Sequence, residues 1–465
     1  MSRTVLRVRI GRGTVPRVEG RVVSFGRLTG FQSADVKTCN WPLILLQLAA
    51  VDGRTLHPRF TESRLLEALA DATVVLIHGP RQCGKTTLAR IVGDPKGYAY
   101  FSFDDPVVLE AAKSDPVGFV ADLPEHSIID EVQKVPELFP ALKTAVDRNR
   151  VPGRILLTGS ANVLLVPRLS ESLAGRMEIL RLHTLAQCEL AGKQPRFLES
   201  LFNGGFKTRT SERLGPALAE RIAAGGYPAA LERTVPRRRL AWYRDYIETL
   251  VQQDVRDLAR IRSLDALPRL LSLAAGQTAR LLNVSDLSAT FQLSRPTIRD
   301  YVTLLERVFL MEELQPWHAN RMSRLIKTPK LHVCDTGLAC ALLEADASAL
   351  GADRGLLGQL LETFIFQELR RQASWHDNPI TFYHYRDKDG VEVDIVLEQG
   401  PRRLAGVEVK AAATVTSADF RGLRRLKAAA GSRFLSGVVL YDGEASASFG
   451  DGLFAVPIRQ LWEAQ

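Results

Sequence analysis

A glycine-rich stretch at residues 79–86, Gly-Pro-Arg-Gln-Cys-Gly-Lys-Thr, constrains the fold of this 465-residue chain more than any other segment. It fits the pattern G-x-x-x-x-G-K-[ST], follows a β-branched run at 73–77, and leads into apolar residues at helical spacing at 86–92. A strand, a glycine-rich turn and a helix in that order form a loop whose backbone N–H groups point at phosphate oxygens. The positive end of the helix dipole adds to the attraction. The sequence therefore predicts an α/β fold with a binding site for a nucleoside triphosphate.

The residue types of this loop suit a bound polyphosphate and its metal ion. Gly79 and Gly84 let the backbone curl, and Lys85 is expected to reach the β- and γ-phosphates. The Thr86 hydroxyl is expected to ligate Mg²⁺, so ATP and Mg²⁺ are the predicted cofactors. The predicted ATP-binding residues are Gly79, Pro80, Arg81, Gln82, Cys83, Gly84, Lys85, Thr86 and Thr87.

Predicted strands alternate with predicted helices between residues 59 and 192, and this order favours a mostly parallel sheet. The four predicted strands are 73–78, 98–103, 127–130 and 154–158. The third is an apolar run that ends in two acids, Ser-Ile-Ile-Asp-Glu. Asp130 is predicted to hold the Mg²⁺ ion together with Thr86, and Glu131 to polarise the water that attacks the γ-phosphate.

Two further polar positions complete the predicted hydrolytic apparatus. Ser160, just after the fourth strand, is predicted to contact the γ-phosphate or the attacking water, with Asn162 as the second candidate. Arg176 has two interpretations that the sequence leaves open. It either stabilises the transition state, within its own subunit or across to a neighbouring one, or it forms a structural salt bridge.

Nine short strings carry a resemblance to a known family: G-P-R-Q-C-G-K-T-T-L, F-D-D-P, I-I-D-E-V-Q-K-V-P, L-T-G-S-A-N, S-L-A-G-R, G-G-Y-P, Y-I-E-T-L, K-T-P-K-L and D-T-G-L-A. With them the chain resembles prokaryotic AAA-type (AAA+ superfamily-like) ATP-binding proteins that end in a domain of unknown function. The nine strings lie between residues 79 and 339, and the resemblance is taken to extend from Arg59 almost to the end of the chain. The resemblance implies ATP hydrolysis, is compatible with a homo-oligomer, and puts Asp105 near the nucleotide.

Residues 283–310 have the pattern of a helix-turn-helix. Ser285 is predicted to cap the first helix, and Ser294 to cap the second with Pro296 in its first turn. The segment resembles a winged-helix module, which the family carries at this place. The exposed amino end of the second helix would present Arg295, Thr297 and Arg299. DNA contact in a major groove and a role as a rigid docking spacer both remain open.

Alternating strand patterns near the carboxyl end carry Asp394 and then, fourteen residues later, Glu408 and Lys410. This order resembles the core of PD-(D/E)xK nucleases. Glu408 and Lys410 face the same side of one strand, and Asp394 on the neighbouring strand is predicted to share a second Mg²⁺ or Mn²⁺ ion with Glu408. Lys410 would activate water, and Glu362 on the preceding helix would support the site. An inactive, binding-only version of the fold is the alternative.

Composition bounds the class of protein without choosing a partner. A hydrophobic content of 46% and a charged content of 24% are typical of a globular protein, and no apolar run is long enough for a membrane span. The net charge of +9 is compatible with DNA as a partner but does not require it. Five scattered cysteines without a C-x-x-C motif favour a reduced, cytoplasmic protein.

The sequence thus predicts four parts. These are a poorly ordered extension (1–55), a phosphate-loop AAA-type ATPase domain (56–192), a helical and winged-helix domain (193–330) and a restriction-endonuclease-like α/β domain (331–465). The predicted function is Mg²⁺-dependent ATP hydrolysis coupled to DNA or partner binding, with metal-dependent nuclease activity left open. The alternative is a nucleotide-switched regulatory or DNA-binding protein whose nuclease-like domain is inactive.

Overall fold

A computed structural model of the protein describes residues 56–160, 173, 175–258, 266–320 and 328–463. For residues 253–258 and 266 it describes the backbone alone. The predicted extension 1–55 and the candidate Asn162 lie outside the described residues.

The first sheet is parallel throughout, as the alternation of strands and helices predicted. Its order is β2-β3-β4-β1-β5. The five strands are β1 (Val74–His78), β2 (Ala99–Ser102), β3 (Ser127–Asp130), β4 (Ile155–Gly159) and β5 (Met177–Arg181). The central strands β1, β3 and β4 are buried along their whole length, because helices cover both faces of the sheet. Parallel pairing brings the carboxyl ends of β1, β3 and β4 to one edge, and the phosphate loop leaves the sheet there.

The described residues of this first unit form the helices α1 (Thr61–Asp71), α2 (Lys85–Gly93), α3 (Pro106–Ser114), α4 (Pro116–Ala121) and α5 (Leu138–Arg148). Asp105, the residue that the family resemblance puts near the nucleotide, is the N-cap of α3. Its side chain accepts hydrogen bonds from the backbone N–H groups of Val107 and Val108.

The middle of the chain is mainly helical. It contains α6 (Gln187–Leu190), α7 (Phe197–Asn203), α8 (Pro216–Ala224), α9 (Pro228–Leu231), α10 (Pro236–Leu258), α11 (Ala266–Gly276), α12 (Val284–Phe291) and α13 (Arg295–Arg307). A small antiparallel sheet of order β7-β9-β8 follows the helices. Its strands are β7 (Arg280–Leu281), β8 (Met311–Leu314) and β9 (Lys330–Val333).

The helix-turn-helix prediction places α12 and α13 correctly but misassigns one cap. Ser294 caps α13 as predicted, accepting from the Thr297 N–H. The cap of α12, however, is Asn283, whose side chain accepts from the N–H groups of Ser285 and Asp286. An Asn two residues upstream is as good a cap as Ser, so the helix starts two residues earlier, at Val284.

The carboxyl-terminal part is built on a mixed sheet of order β10-β11-β12-β13-β15-β14-β6. Its strands are β6 (Arg209–Thr210), β10 (Ile380–Arg386), β11 (Glu392–Gln399), β12 (Arg403–Lys410), β13 (Phe434–Tyr441), β14 (Ala445–Ser448) and β15 (Leu453–Pro457). The remaining helices are α14 (Thr336–Leu342), α15 (Ala347–Ala352), α16 (Arg354–Ser374) and α17 (Arg421–Ala430). One hydrophobic cluster extends from Ala186 to Trp462, so the helical middle and this sheet share a core. The domain boundaries at 192/193 and 330/331 stay predictions.

Candidate functional site

The phosphate loop connects β1 to α2 and depends on glycine at two positions. Gly84 has φ +99°, in the left-handed region that side chains disfavour. A Cβ atom at Gly79 would lie 2.1 Å from the carbonyl oxygen of Leu182, which follows β5. The loop therefore packs directly against the end of the neighbouring strand, and larger residues at these positions would displace it.

Lys85, the first residue of α2, is 4% exposed and folds over its own loop. Its Nζ donates to the carbonyl oxygens of Gly79, at 3.2 Å, and of Pro80, at 2.8 Å. The ammonium group of Lys85 is thus held at the predicted phosphate-binding loop. Its buried position strengthens its attraction for an anion.

Thr86 and Asp130, the two predicted Mg²⁺ ligands, are in direct contact. The Thr86 hydroxyl donates to Asp130 at 2.9 Å (Oδ1) and 3.1 Å (Oδ2). Asp130 also accepts from the hydroxyls of Thr158 and, at 2.8 Å, Tyr100. Burial and the bond to Asp130 raise the pKa of Tyr100 to about 12, so its phenol remains a donor. A carboxylate and a hydroxyl side by side are hard oxygen ligands that fit Mg²⁺.

Glu131, the predicted base, is held by two side chains. Glu131 Oε2 accepts from the Ser160 hydroxyl at 2.9 Å and from the amide of Gln133. The Gln133 amide also donates to Ser160 Oγ at 2.8 Å, so the three side chains form a closed triangle. Ser160 thus lies next to the predicted base, and its role as a sensor stays a prediction. Gln133 was not predicted, because a single polar residue after a strand end carries no pattern of its own.

Arg176 is not brought to the phosphate loop of its own subunit. Its Nε donates to Asp147 Oδ1 at 2.6 Å, and Nη2 donates to Asp147 Oδ2 at 3.1 Å. The next residue, Met177, pairs with Val74 at the start of β1, whereas the loop follows His78 at its end. The two edges of the sheet are about 13 Å apart at ~3.3 Å per residue. Of the two interpretations left open, this geometry favours the salt bridge, and a role in a neighbouring subunit stays a prediction.

Arg59 and Tyr246, which lie outside the phosphate loop, donate hydrogen bonds to its backbone carbonyl oxygens. Arg59, 10% exposed, donates to the carbonyl oxygens of Cys83 and His183, both at 2.7 Å, and pairs with the fully buried Glu189 at 3.1 Å. On the opposite side the hydroxyl of Tyr246 on α10 donates to the Arg81 carbonyl at 3.3 Å. The loop is therefore in contact with both the amino-terminal segment and the helical middle.

A second cluster of charged side chains lies in the carboxyl-terminal part, around a lysine that the sequence did not point to. Lys330 on β9 is 3% exposed. Its Nζ donates to Glu362 Oε1 at 2.8 Å and lies 3.5 Å from Asp394 Oδ1 and 3.7 Å from Glu392 Oε2. The predicted Glu362 and Asp394 thus approach each other, with a buried ammonium group between them.

Glu408 and Lys410 complete this carboxylate cluster from β12. They lie on the same side of the strand, with Lys410 Nζ donating to Glu408 Oε1 at 2.8 Å. Asp394 Oδ2 accepts from the Val409 N–H at 2.9 Å, which ties the two strands together. Burial, together with the charge of Asp394, raises the pKa of both Glu362 and Glu408. The charges of Lys330 and Lys410 oppose this effect but do not cancel it, so ionisation of these two carboxyl groups is disfavoured.

The carboxylate oxygens of this cluster suit a divalent metal ion that takes only one or two ligands from the protein. Among the described residues, no group of three or more His, Cys, Asp or Glu side chains is arranged to hold a metal ion. Glu408 Oε2 is nevertheless buried without a hydrogen-bond partner in the described part of the chain, next to the strand of Asp394. Mg²⁺ commonly takes one or two carboxylates and completes its shell with water and phosphate oxygens. Asp394 and Glu408 fit that mode.

The amino end of α13 is exposed, as the helix-turn-helix prediction requires. Arg295 and Arg299 are exposed and Thr297 is half-buried. Arg299 donates to Glu313 Oε1 on β8 at 3.3 Å, so its charge is partly engaged within the fold. In the described part of the chain, no helix is long and apolar enough to cross a membrane.

Family models match three successive segments of the chain. Residues 71–191 match a model described as an AAA domain. Residues 215–349 match a domain of unknown function, DUF8612, and residues 357–461 match another, DUF4143. The first segment contains the whole phosphate loop, Asp130, Glu131 and Ser160. The AAA-type prediction for this part is therefore confirmed, whereas the nuclease-like assignment of the carboxyl-terminal part stays a prediction.

Two curated proteins are similar to almost the whole chain. They are the uncharacterized proteins Mb2031c of Mycobacterium bovis and Rv2008c of Mycobacterium tuberculosis. Each is 30% identical over 415 residues, which is 89% of this chain and 86% of the relative.

Solved structures show weaker likenesses. The Walker-type ATPase PABY2304 of Pyrococcus abyssi is 16% identical, with a TM-score of 0.40 over 62% of this chain and 96% of that one. The RuvB Holliday junction branch migration motor of Thermotoga maritima is 18% identical, with a TM-score of 0.25 over 59% and 89%. Likenesses at these scores carry no argument about function.

Proposed function

This chain belongs to the same family as the two mycobacterial proteins that match 89% of its length, and we propose that it is an AAA-type ATPase that hydrolyses ATP with Mg²⁺. One observation carries the proposal. The phosphate loop, the Thr86–Asp130 pair and the Glu131–Ser160 pair meet at one edge of the parallel sheet. Phosphoryl transfer to water needs a cation, hard oxygen ligands for Mg²⁺ and a base close together, and this arrangement supports the proposal for that reason.

Each residue of this edge has one task in the proposed reaction. The backbone N–H groups from Gly79 to Thr86 bind the phosphates, and Lys85 neutralises charge on the β- and γ-phosphates. Thr86 and Asp130 hold the Mg²⁺ ion, which neutralises phosphate charge when bound. Glu131 orients the attacking water and accepts its proton. Ser160 contacts the γ-phosphate or that water, and its hydrogen bond to Glu131 keeps the base in place.

Binding of labelled ATP and its turnover test this proposal. Lys85→Ala is expected to abolish ATP retention, and Glu131→Gln to retain ATP but lose at least ~100-fold in turnover, since a positioned base contributes about 10²–10⁴-fold. Lys96→Ala, at an exposed lysine beyond α2, is the matched control and should leave both unchanged. Equal retention by Lys85→Ala and Lys96→Ala would remove the proposal.

A second candidate function, Mg²⁺- or Mn²⁺-dependent cleavage of a phosphodiester, is supported by the carboxylate cluster. The supporting observation is the buried Glu408 Oε2, which has no hydrogen-bond partner among the described residues and lies next to Asp394 and Lys410. In this function Asp394 and Glu408 hold the metal ion, Lys410 orients the attacking water, and Glu362 supports the site through Lys330. Plasmid cleavage with either metal tests it. Asp394→Ala and Lys410→Ala should lose cleavage that Lys207→Ala, an exposed control, keeps.

If the protein hydrolyses ATP but does not cleave nucleic acid, we propose instead a binding protein whose affinity is switched by the bound nucleotide. DNA contact through Arg295, Thr297 and Arg299 of α13 would then change between the ATP and ADP states. Gel shifts with each nucleotide over a salt series measure this, because phosphate contacts make binding strongly salt-dependent. A flat salt response would favour an ATPase that docks a protein partner.

A homo-oligomer and a cytoplasmic location belong to the same proposal. The cytoplasmic location is supported by the free thiols of Cys83, Cys188, Cys334 and Cys340.

A further inference from the structure

The helix α17 presents a basic surface beside the carboxylate cluster. Its sequence, Arg-Gly-Leu-Arg-Arg-Leu-Lys-Ala-Ala-Ala, contains four cations and no acid. Gly422, Leu423, Leu426 and Ala430 are its buried side and pack on the sheet. Arg421, Arg424 and Arg425 are exposed. We call these three arginines the α17 basic face.

The basic face lies directly against the strand that carries part of the cluster. A Cβ atom at Gly422 would lie 1.9 Å from the carbonyl oxygen of Glu392, so the first turn of α17 rests on the start of β11. Asp394 is two residues further along that strand. The basic face therefore begins at the rim of the carboxylate cluster.

The charge of this face is only partly compensated within the fold. Arg425 lies 4.0 Å from Asp387 and 3.7 Å from Asp389, which belong to the turn between β10 and β11. Arg421 and Arg424, in contrast, have no acidic partner among the residues that the structure describes. The two exposed arginines without an acidic partner are three residues apart on α17, about 4.5 Å along the helix axis at ~1.5 Å per residue.

Arg424 is also held in a fixed orientation. It donates to the carbonyl oxygen of Ser417 at 2.7 Å and to the Ser417 hydroxyl at 3.0 Å. Its guanidinium lies over the ring of the buried Phe420, 5.9 Å from the centroid. Ser417, Ala418 and the three arginines of the basic face line an open, shallow depression of about 500 Å³. A guanidinium that is fixed before binding loses little freedom when it contacts a phosphate, and its remaining N–H groups match phosphate geometry.

We propose that the α17 basic face binds the phosphodiester backbone of a nucleic acid strand and leads it to the Lys410 end of the carboxylate cluster. The delivery to the cluster rests on the second candidate function, whereas the binding does not. A phosphodiester is favoured because its charges recur along a chain, as those of Arg421 and Arg424 recur along the helix. The basic face carries no base-reading pattern, so it binds DNA or RNA without sequence preference.

The test compares two double variants of the full chain by fluorescence anisotropy. Arg421→Gln with Arg424→Gln removes two charges from the basic face. Arg237→Gln with Arg238→Gln removes two charges from the exposed start of α10 and is the matched control. The probes are a labelled single-stranded DNA, a duplex DNA and an RNA, each over a salt series. All four sites are exposed, and thermal melting verifies that the variants fold. If the double variant melts early, Arg421→Gln alone replaces it.

The expected result is a weaker dependence of affinity on salt for the α17 variant only. The slope of log Kd against log salt should fall by about 1 for each arginine that no longer binds a phosphate, hence by about 2 for the double variant. Equal slopes and affinities for both double variants would refute the inference, as would absence of binding by the wild-type protein. Loss of binding by the α17 variant, with no cleavage by the wild type, would sustain the inference and remove the nuclease function. The difference between the DNA and RNA probes identifies the natural strand.

Discussion

Replacing Arg371 tests how much a buried ionic network contributes to the stability of this fold. Arg371 on α16 donates to Glu368 at 2.5 Å, to Thr184 at 2.6 Å and to Asp335 at 3.1 Å. The arginine is 4% exposed and both carboxylates are fully buried. Asp335 also accepts from the Gly226 N–H at 2.8 Å. The network therefore joins the segment after β5, the Gly-Gly turn before α9, the start of α14 and α16.

The expected magnitude follows from burial, since distance alone does not distinguish this network from an ordinary surface pair. Arg371→Met leaves the Asp335 and Glu368 carboxylates without their cation, and breaking a buried pair in this way costs about 3–5 kcal/mol. The pair Arg196–Glu199 is equally close, at 2.9 Å, but its side chains are 68% and 51% exposed. Removing a partner from such a pair costs about 0–1 kcal/mol. Arg371→Lys keeps the charge but loses the fork of donors, so its effect should lie in between.

Urea denaturation followed by tryptophan fluorescence measures these differences. With a typical slope of ~2 kcal/mol per molar urea, Arg371→Met should lower the unfolding midpoint by about 2 M. Arg196→Met, the matched control, should lower it by less than about 0.5 M on the same scale. If the two arginine-to-methionine variants unfold within 1 kcal/mol of each other, by the ~1 kcal/mol scale of an exposed pair, the assignment of stability to this network is wrong.

Three further predictions concern single side chains. Tyr100→Phe removes a donor from Asp130, so the Mg²⁺ concentration for half-maximal ATP turnover should rise by about tenfold; an unchanged Mg²⁺ titration would contradict this. Gln133→Leu releases Glu131 and should lower turnover by about tenfold, a part of what a positioned base contributes, while an ATP-binding assay shows the same affinity. Burial, together with the charge of Lys330, lowers the pKa of His332 from 6.5 to about 3, so this group favours folding above pH 6.5 and loses that contribution as the pH falls. In His332→Phe the free energy of unfolding from urea denaturation should therefore decline less between about pH 6.5 and 5, by up to roughly 1.4 kcal/mol per pH unit, and equal declines in the two proteins would refute the sign.

Most of the nucleotide site could be predicted from the sequence because its motifs are short and contiguous. The loop, the strand before it and the helix after it are contiguous, and the acids at the end of β3 follow an apolar run. Parallel pairing then brings Thr86, Asp130 and Ser160 to one edge without further information. Tyr100 and Gln133 escaped prediction, since one polar residue on a strand or in a turn looks the same whether or not it reaches a carboxylate.

The carboxylate cluster could be predicted only in part, because the sequence does not show that Lys330 is buried. Asp394, Glu408 and Lys410 alternate along predicted strands, so their common face could be expected. Lys330 could not be anticipated as their neighbour. A lysine at the start of a short strand is normally exposed, and only the approach of α16 and β11, which lie far along the chain, surrounds its ammonium group with acids.

Two rigid elements connect the carboxylate cluster to the Arg371 network, and this limits how independently the two halves of the protein can move. The strand β9 carries Lys330 of the cluster and leads within two residues of its end to Asp335 of the network. The helix α16 carries Glu362 and, nine residues or about 13 Å further on at ~1.5 Å per residue, Arg371. Thr184 adjoins His183, whose carbonyl is bound by the same Arg59 that holds the phosphate loop at Cys83. A displacement of the loop relative to α16 must therefore either break buried charged contacts or carry the cluster with it. Because breaking buried charged contacts costs about 3–5 kcal/mol, we expect the loop, α16 and the carboxylate cluster to move together.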